Sequence, residues 1–191
     1  QRVALVRSMA TKPKLILMDE PISNLDFHLK SKISLIILEI IRRYNTTAVI
    51  VTHDIMDAMK ISDKIIVIDR GKIIQIGAPF EIYEFPNSKK VARLFGDTNF
   101  VPLAIYPKSK HHIIYDKEEK SFIHVRPNQF HIFNKETSRD KLVLEGQIKS
   151  LKNIAGKMHI ILACDEINSD INLIIGINSD LKIGQNFKVM A

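Results

Sequence analysis

Leu15-Ile16-Leu17-Met18-Asp19-Glu20-Pro21 is an apolar run that ends in two adjacent carboxylates and a proline. Four apolar residues in succession predict a short strand buried on both faces, as in a parallel sheet covered by helices. Ligands of such sheets meet the carboxyl ends of the strands, so Asp19 and Glu20 stand where chemistry is expected. One carboxylate can hold a hydrated Mg²⁺ ion while its neighbour orients or deprotonates a water for attack on a phosphate. Alone, the run also fits a strand that simply stops at a solvated acidic turn.

A second apolar run, Thr47-Ala48-Val49-Ile50-Val51-Thr52, ends in His53-Asp54 and brings an imidazole to an equivalent position. Two strand ends can then converge on one ligand. Between them Asp26 can cap a helix in which Leu29, Ile33, Ile36, Ile40 and Tyr44 form an apolar stripe. Gln1 to about Thr11 reads as another helix, and Ile55 to Ile61 as a short one. Lys64–Ile68 and Lys72–Ile76 flank Asp69-Arg70-Gly71, a hairpin signal. Pro79 opens a short helix, and Ser88–Phe95 makes a further one that Gly96 can end.

Past Asp97 strands dominate. They are expected at His112–Tyr115, Ser121–Arg126, Gln129–Phe133, Lys141–Ser150, Met158–Cys164, Ile171–Gly176 and Asn186–Met190, a spacing that points to a small barrel or sandwich. The predicted organisation is an α/β half-domain over residues 1–96 followed by a small all-β domain over 97–191.

The order and spacing of Gln1-Arg2-Val3-Ala4-Leu5-Val6-Arg7-Ser8-Met9-Ala10, the Asp19-Glu20 strand, Ser23-Asn24-Leu25-Asp26 and Val51-Thr52-His53-Asp54 resemble the ATP-binding subunits of ABC transporters. Ser62–Ile68, Gly71–Gly77 and Pro79–Tyr83 are similar to the importer branch that carries a C-terminal regulatory domain. Val125-Arg126-Pro127 followed by Ile132 resembles a segment of its transport-associated OB-like domain, with Asn128 in place of the usual glutamate. The resemblance implies the C-terminal part of an ABC ATPase domain of P-loop NTPase type, then the OB-like domain.

It also implies roles. Asp19 would ligand the Mg²⁺ of ATP through water, Glu20 would be the general base, and His53 would contact the γ-phosphate. Ser23 to Asp26 would couple two cassettes in a dimer, with Asp26 reaching across and Ser23 beside the nucleotide. Gln1 and Arg2 would be the tail of the Leu-Ser-Gly-Gly-Gln signature that faces the partner's ATP. The implied partners are a second ATPase subunit, membrane permease subunits and, indirectly, a solute-binding protein, at the cytoplasmic face of the inner membrane. For Asp26 a helix-capping role stands beside the coupling role.

Two departures from the family pattern lie close to these motifs, Ile55 after His53-Asp54 and Ser34 on the helix after Asp26. No Gly-x-x-x-x-Gly-Lys-Ser/Thr occurs, since Gly71-Lys72 and Gly156-Lys157 are followed by Ile73 and Met158. That loop supplies the backbone N–H groups, lysine and hydroxyl that dominate phosphate affinity. The expectation is therefore a C-terminal half of a longer protein, which by itself binds ATP weakly or not at all and hydrolyses none. Competing classes are a non-catalytic regulatory or interaction module and an ABC protein of ribosomes or DNA repair. The strand-rich tail with Val125-Arg126-Pro127 favours the importer over the last.

At 191 residues and 46% hydrophobic content the chain can fill packed cores. Its net charge of +7 comes from scattered lysines with no dense basic run, so no nucleic-acid partner is expected. The single cysteine, Cys164, has no internal disulfide partner, suits a reducing cytosol and reads as a small core residue. No apolar run reaches the roughly 18 residues of a membrane span. His111, His112, His124 and His131 lack the Cys or carboxylate companions of a metal site.

Overall fold

The computed structural model describes residues 12–23, 25–106, 112–115, 121–135, 141–177 and 180–191, the side chain of Phe27 excepted. The chain divides into two compact units, Gln1–Ile66 with Ile76–Phe80 and Val67–Gln75 with Glu81–Ala191. The predicted helix at Gln1–Thr11 lies outside the described residues, as do Gln1 and Asn24.

In the first unit Leu15–Asp19 (β1) pairs in parallel with Thr47–Val51 (β2), Leu15 opposite Thr47 and Asp19 opposite Val51. Phe27–Tyr44 (α1) makes the crossover that parallel pairing needs. Asp26 starts this helix by accepting the Leu29 N–H at 2.9 Å, and Asn45 ends it in the left-handed region at φ 47°. Ile55–Ile61 (α2) follows β2, capped by Asp54, which accepts the Met56 and Asp57 N–H groups.

Ile22, Ile33, Ile37 and Ile61 form the core here, with Met18, Leu29, Leu38, Ile41 and Ile50 packed against it. The apolar stripe of α1 therefore runs through Leu29, Ile33, Ile37 and Ile41. Ile36 and Tyr44, placed on it from the sequence, are exposed. An almost continuous Leu/Ile helix offers two overlapping stripes, and only packing selects one. The strand reading is corrected in the same way. Ile16 is buried, but Leu15, Leu17, Val49 and Val51 are exposed, so β1 and β2 are covered on one face by the described residues.

Ile65–Asp69 (β3) and Lys72–Gly77 (β4) form a two-stranded sheet whose turn places Arg70 and Gly71 at positive φ, as a tight hairpin turn requires. Pro79–Glu84 (α3) and Lys89–Leu94 (α4) follow, the second capped by Ser88.

The rest of the second unit is two antiparallel sheets. Asn99–Pro102 (β5), Ile113–Tyr115 (β6) and Ser121–Val125 (β7) stand in the order β5-β7-β6. His131–Ile132 (β8), Val143–Ile154 (β9), Lys157–Cys164 (β10), Ser169–Ile175 (β11) and Asn186–Met190 (β12) stand in the order β11-β10-β9-β12-β8. Val101, Ile123 and Val125 of the small sheet share one core with Leu144, Ile160, Leu162, Leu173 and Val189 of the large one. Cys164 belongs to this core, and burial pushes its thiol up.

Asn99 stitches the two sheets together. Its side-chain N–H donates to the carbonyl of Asn172 at 2.8 Å, and its side-chain oxygen accepts the Asn172 N–H at 2.8 Å. The amide thus mimics a strand neighbour for β11. Sequence reading did not find β5, a four-residue strand containing proline. It also ended β9 early, because the turn Ala155-Gly156 puts an alanine at φ 50° where a hairpin signal leads one to expect asparagine or glycine. Gln129 lies in a short 3-10 turn opened by Pro127, not in the strand expected over Gln129–Phe133.

Candidate functional site

Parallel pairing brings the carboxyl ends of β1 and β2 side by side, and the next residues turn toward each other. The Glu20 N–H donates to the Val51 carbonyl at 2.9 Å, extending the ladder by one bond. The Glu20 carboxylate then accepts both the backbone N–H of His53 at 3.0 Å and its ring Nδ1–H at 2.5 Å through the same oxygen, Oε1. Two residues 33 positions apart are thereby joined at one spot.

Glu20 sits in the left-handed region at φ 45°, a conformation that costs a non-glycine residue about 1–2 kcal/mol. Its second oxygen, Oε2, is buried without a well-formed hydrogen bond among the described residues, the Thr52 side chain being the neighbour that helps hold the carboxylate charged. A left-handed backbone and a buried carboxylate oxygen without a hydrogen-bond partner thus occur together at this strand end. The His53 hydrogen bond, opposed by burial, holds the Glu20 carboxyl below its ordinary value. Asp19, one residue earlier, points into solvent at the strand end.

The turn after Glu20 is closed by Ser23, whose hydroxyl donates to the Glu20 carbonyl at 3.1 Å. Asp26 then spends its side chain on the cap of α1. The sequence-selected residues Asp19, Glu20, Ser23 and His53 therefore lie at one end of the parallel pair, with Asp26 at the adjoining helix start. Ser34 is buried and returns its hydroxyl to the Lys30 carbonyl at 2.8 Å.

A group that sequence reading missed lies behind His53. Lys30 Nζ is 2.8 Å from Asp54 Oδ2 and 3.5 Å from Asp57 Oδ2. The ammonium holds the Asp54 carboxyl below its ordinary value, and Asp54 in turn raises Lys30. The acids were visible in the sequence as the first turn of α2, but nothing local pairs them with a lysine 24 positions earlier.

In the second unit Arg126 is fully buried. Its guanidinium donates to the carbonyls of Tyr83, Ala92, Gly96 and Asp97 at 2.9–3.2 Å, its centre lying 4.2 Å from the Tyr83 ring centroid. Burial lowers its proton affinity, and the neighbouring Tyr83, Glu84 and Asp97 oppose that shift. His112 and His124 lie against each other at 6.4 Å, and His112 Nε2 bonds the Pro86 carbonyl at 2.7 Å. Among the described residues no cluster of three or more His, Cys, Asp or Glu side chains could hold a metal ion. Asp19 alone could ligand one only with help from phosphate or water.

A parallel strand pair joined by a crossover helix, followed by antiparallel sheets, makes this a mixed α/β protein. The chain belongs with the ATP-binding subunits of ABC-type importers. It is 35% identical over 199 aligned positions to an Fe(3+) ions import ATP-binding protein of Haemophilus influenzae, a match covering 99% of this chain and 56% of that protein. A second Fe(3+) ions import ATP-binding protein, from Pectobacterium atrosepticum, is 45% identical over 102 residues, 53% of this chain and 29% of its own length. The putrescine transport ATP-binding protein of Escherichia coli is 46% identical over 99 residues, 52% of this chain and 26% of its own. The chain spans about half the length, or less, of the curated relatives it matches. No protein-family model matches it. No helix of the described residues is long and apolar enough to cross a membrane.

Proposed function

We propose that the chain contributes the Walker B, dimer-coupling and histidine elements of an ATP-hydrolysing importer subunit, with Glu20 as general base. The observation that carries this is the meeting of Glu20 and His53 at the ends of two parallel strands, with Glu20 strained and one of its oxygens unmet. Bound MgATP would supply the phosphoryl group and the charge that positions it. Asp19 fits the Mg²⁺ side of such a ligand through water. Glu20 Oε2 is free to accept a proton from water, and His53 can leave Glu20 to donate to a phosphate oxygen. Ser23 shapes the turn that presents Glu20, and Asp26 reaches a second subunit across a dimer interface. Gln1 belongs to the nucleotide contact made by the signature segment.

The further assignments follow the relatives. Residues 1–96 are the C-terminal part of the nucleotide-binding domain, and 97–191 are a transport-associated OB-like domain. Two antiparallel sheets around one core support an all-β region after residue 97, while the compact unit that holds them also takes in Val67–Gln75 and residues 81–96. The partners are a second ATPase subunit and membrane permease subunits at the cytoplasmic face of the inner membrane, with a solute-binding protein acting through the permease. Relatives named for Fe(3+) and for putrescine match this chain equally well. Solute choice therefore lies in the partners, with ferric iron or a polyamine as the cargo. The 191 residues contain no phosphate-cradling loop and should not turn over ATP alone.

The test is Glu20→Gln in the protein as its gene encodes it, in the presence of MgATP. Retained nucleotide binding with turnover abolished and a trapped dimer is expected, and wild-type turnover would remove Glu20 from the role of base. A second reading, a regulatory module without catalysis, rests on the missing loop alone and is favoured if the encoded protein binds no ATP.

A further inference from the structure

His53 is the one member of the strand-end group whose ring has little packing to hold it, its side chain being 81% exposed. Apart from its Nδ1 bond to Glu20, its direction is set by its backbone. On one side Thr52 Oγ1 accepts the Asp54 N–H at 3.0 Å, spanning the His53 peptide. On the other, every oxygen of Asp54 is used. Oδ1 accepts the first N–H groups of α2 at 3.0 and 3.2 Å, and Oδ2 takes the Lys30 ammonium at 2.8 Å.

Lys30 stands in the first turn of α1, and its own N–H donates to the carbonyl of Asp26 at 2.8 Å. Its carbonyl is further tied by Ser34, and its ammonium has a second carboxylate, buried Asp57, at 3.5 Å. One ammonium thus bridges the helix that begins at Asp26 to the segment that aims His53 at Glu20. Lysine suits the place, because a compact ammonium with three rotatable donors can serve two carboxylates at once.

We propose that Lys30 is a positioning residue, which through Asp54 sets the His53 ring against Glu20 and ties the Ser23–Asp26 turn to that contact. Lys30 itself touches neither the reacting groups nor their ligand. The inference deepens the reading of Glu20 and His53 given above, and its kinetic arm rests on that reading while its spectroscopic arm does not.

The experiment compares wild type, Lys30→Met, Lys30→Gln, Lys30→Arg and the exposed control Lys32→Met in the protein as encoded. His53 ring resonances are assigned by His53→Gln and followed by ¹H–¹³C NMR, alongside steady-state ATP hydrolysis. Lys30→Met is expected to move the His53 signals toward those of a free imidazole, with Lys30→Arg restoring them and Lys32→Met leaving them in place. In turnover the same variant should lower kcat by about 10- to 100-fold, as misplacement of a positioned group does. Its KM for ATP should stay within about twofold, because the nucleotide contacts are untouched.

If Lys30→Met does not fold, Lys30→Gln decides, since it keeps the stem and a donor while removing the charge. Unchanged His53 signals in a folded Lys30 variant would overturn the proposal. Displaced signals combined with full turnover in Glu20→Gln would leave the positioning role standing and remove the catalytic reading instead.

Discussion

Glu20 concentrates the physical chemistry of the first unit in one residue. A left-handed backbone, a carboxylate tied to His53 and an unmet buried oxygen each have a cost, and all three occur together. The backbone part can be isolated. Glu20→Gly and Glu20→Ala lose the same side-chain contacts, but only alanine keeps the left-handed penalty. The glycine variant is expected to be more stable by about 1 kcal/mol in urea unfolding. Equal stability would show that the turn relaxes. In the second unit Arg126 is the residue on which most depends, since four carbonyls share its guanidinium. Arg126→Met should cost about 3 kcal/mol by stranding those acceptors. Arg126→Lys should recover little, because an ammonium cannot reach around the planar fork, and full recovery would argue that charge alone matters.

At the scale of elements, α1 depends on its cap. Asp26→Ala should lose about 1 kcal/mol of stability, while Asp26→Asn, which also accepts the Leu29 N–H, should lose little. A dimer-specific defect in Asp26→Asn with stability intact would separate the coupling role from the cap. Strand β9 carries a different constraint. A Cβ on Gly146 would stand 2.0 Å from the carbonyl oxygen of Ala163 on β10, an encounter with backbone that no rotamer relieves. Gly146→Ala is expected to destabilise the second unit by about 1–3 kcal/mol, read as a lower denaturation midpoint. The cap at Asp26, the hairpin at Arg70-Gly71 and most strands were legible in the sequence because each is decided by residues within a few positions. The misplaced stripe on α1 and the overlooked β5 were not, because helix face and short-strand pairing depend on what arrives from elsewhere.

For the whole molecule, charge pairing sets a pH window. Asp54 and Asp69 have carboxyls held below their ordinary value of 3.8, chiefly by hydrogen bonds from Lys30 and Lys90. Groups depressed on folding add stability above their unfolded value, and that stability is lost as pH falls through the folded one. Lys30 is raised above its ordinary value of 10.5, chiefly by its hydrogen bond to Asp54, so its contribution is complete below 10.5 and lost as pH climbs through the folded value. Urea unfolding from acid to alkali should show a plateau with loss at both ends. Lys30→Met should erase its share of the alkaline loss and carry the Asp54 loss upward toward 3.8. Identical profiles for the two proteins would contradict the pairing.

By itself the sequence determined where most strands run, that Asp26 caps a helix and which acidic and imidazole groups stand at strand ends, because hydrogen-bonding and propensity act over a few residues. Only the tertiary structure decided that Glu20 meets His53, that Lys30 serves Asp54, that Asn99 joins two sheets, that Arg126 gathers four carbonyls and that the described residues cover β1 and β2 on one face. Those contacts span 24 to 73 positions along the chain. Their energies depend on distance in space and on burial, which no local stretch of sequence contains.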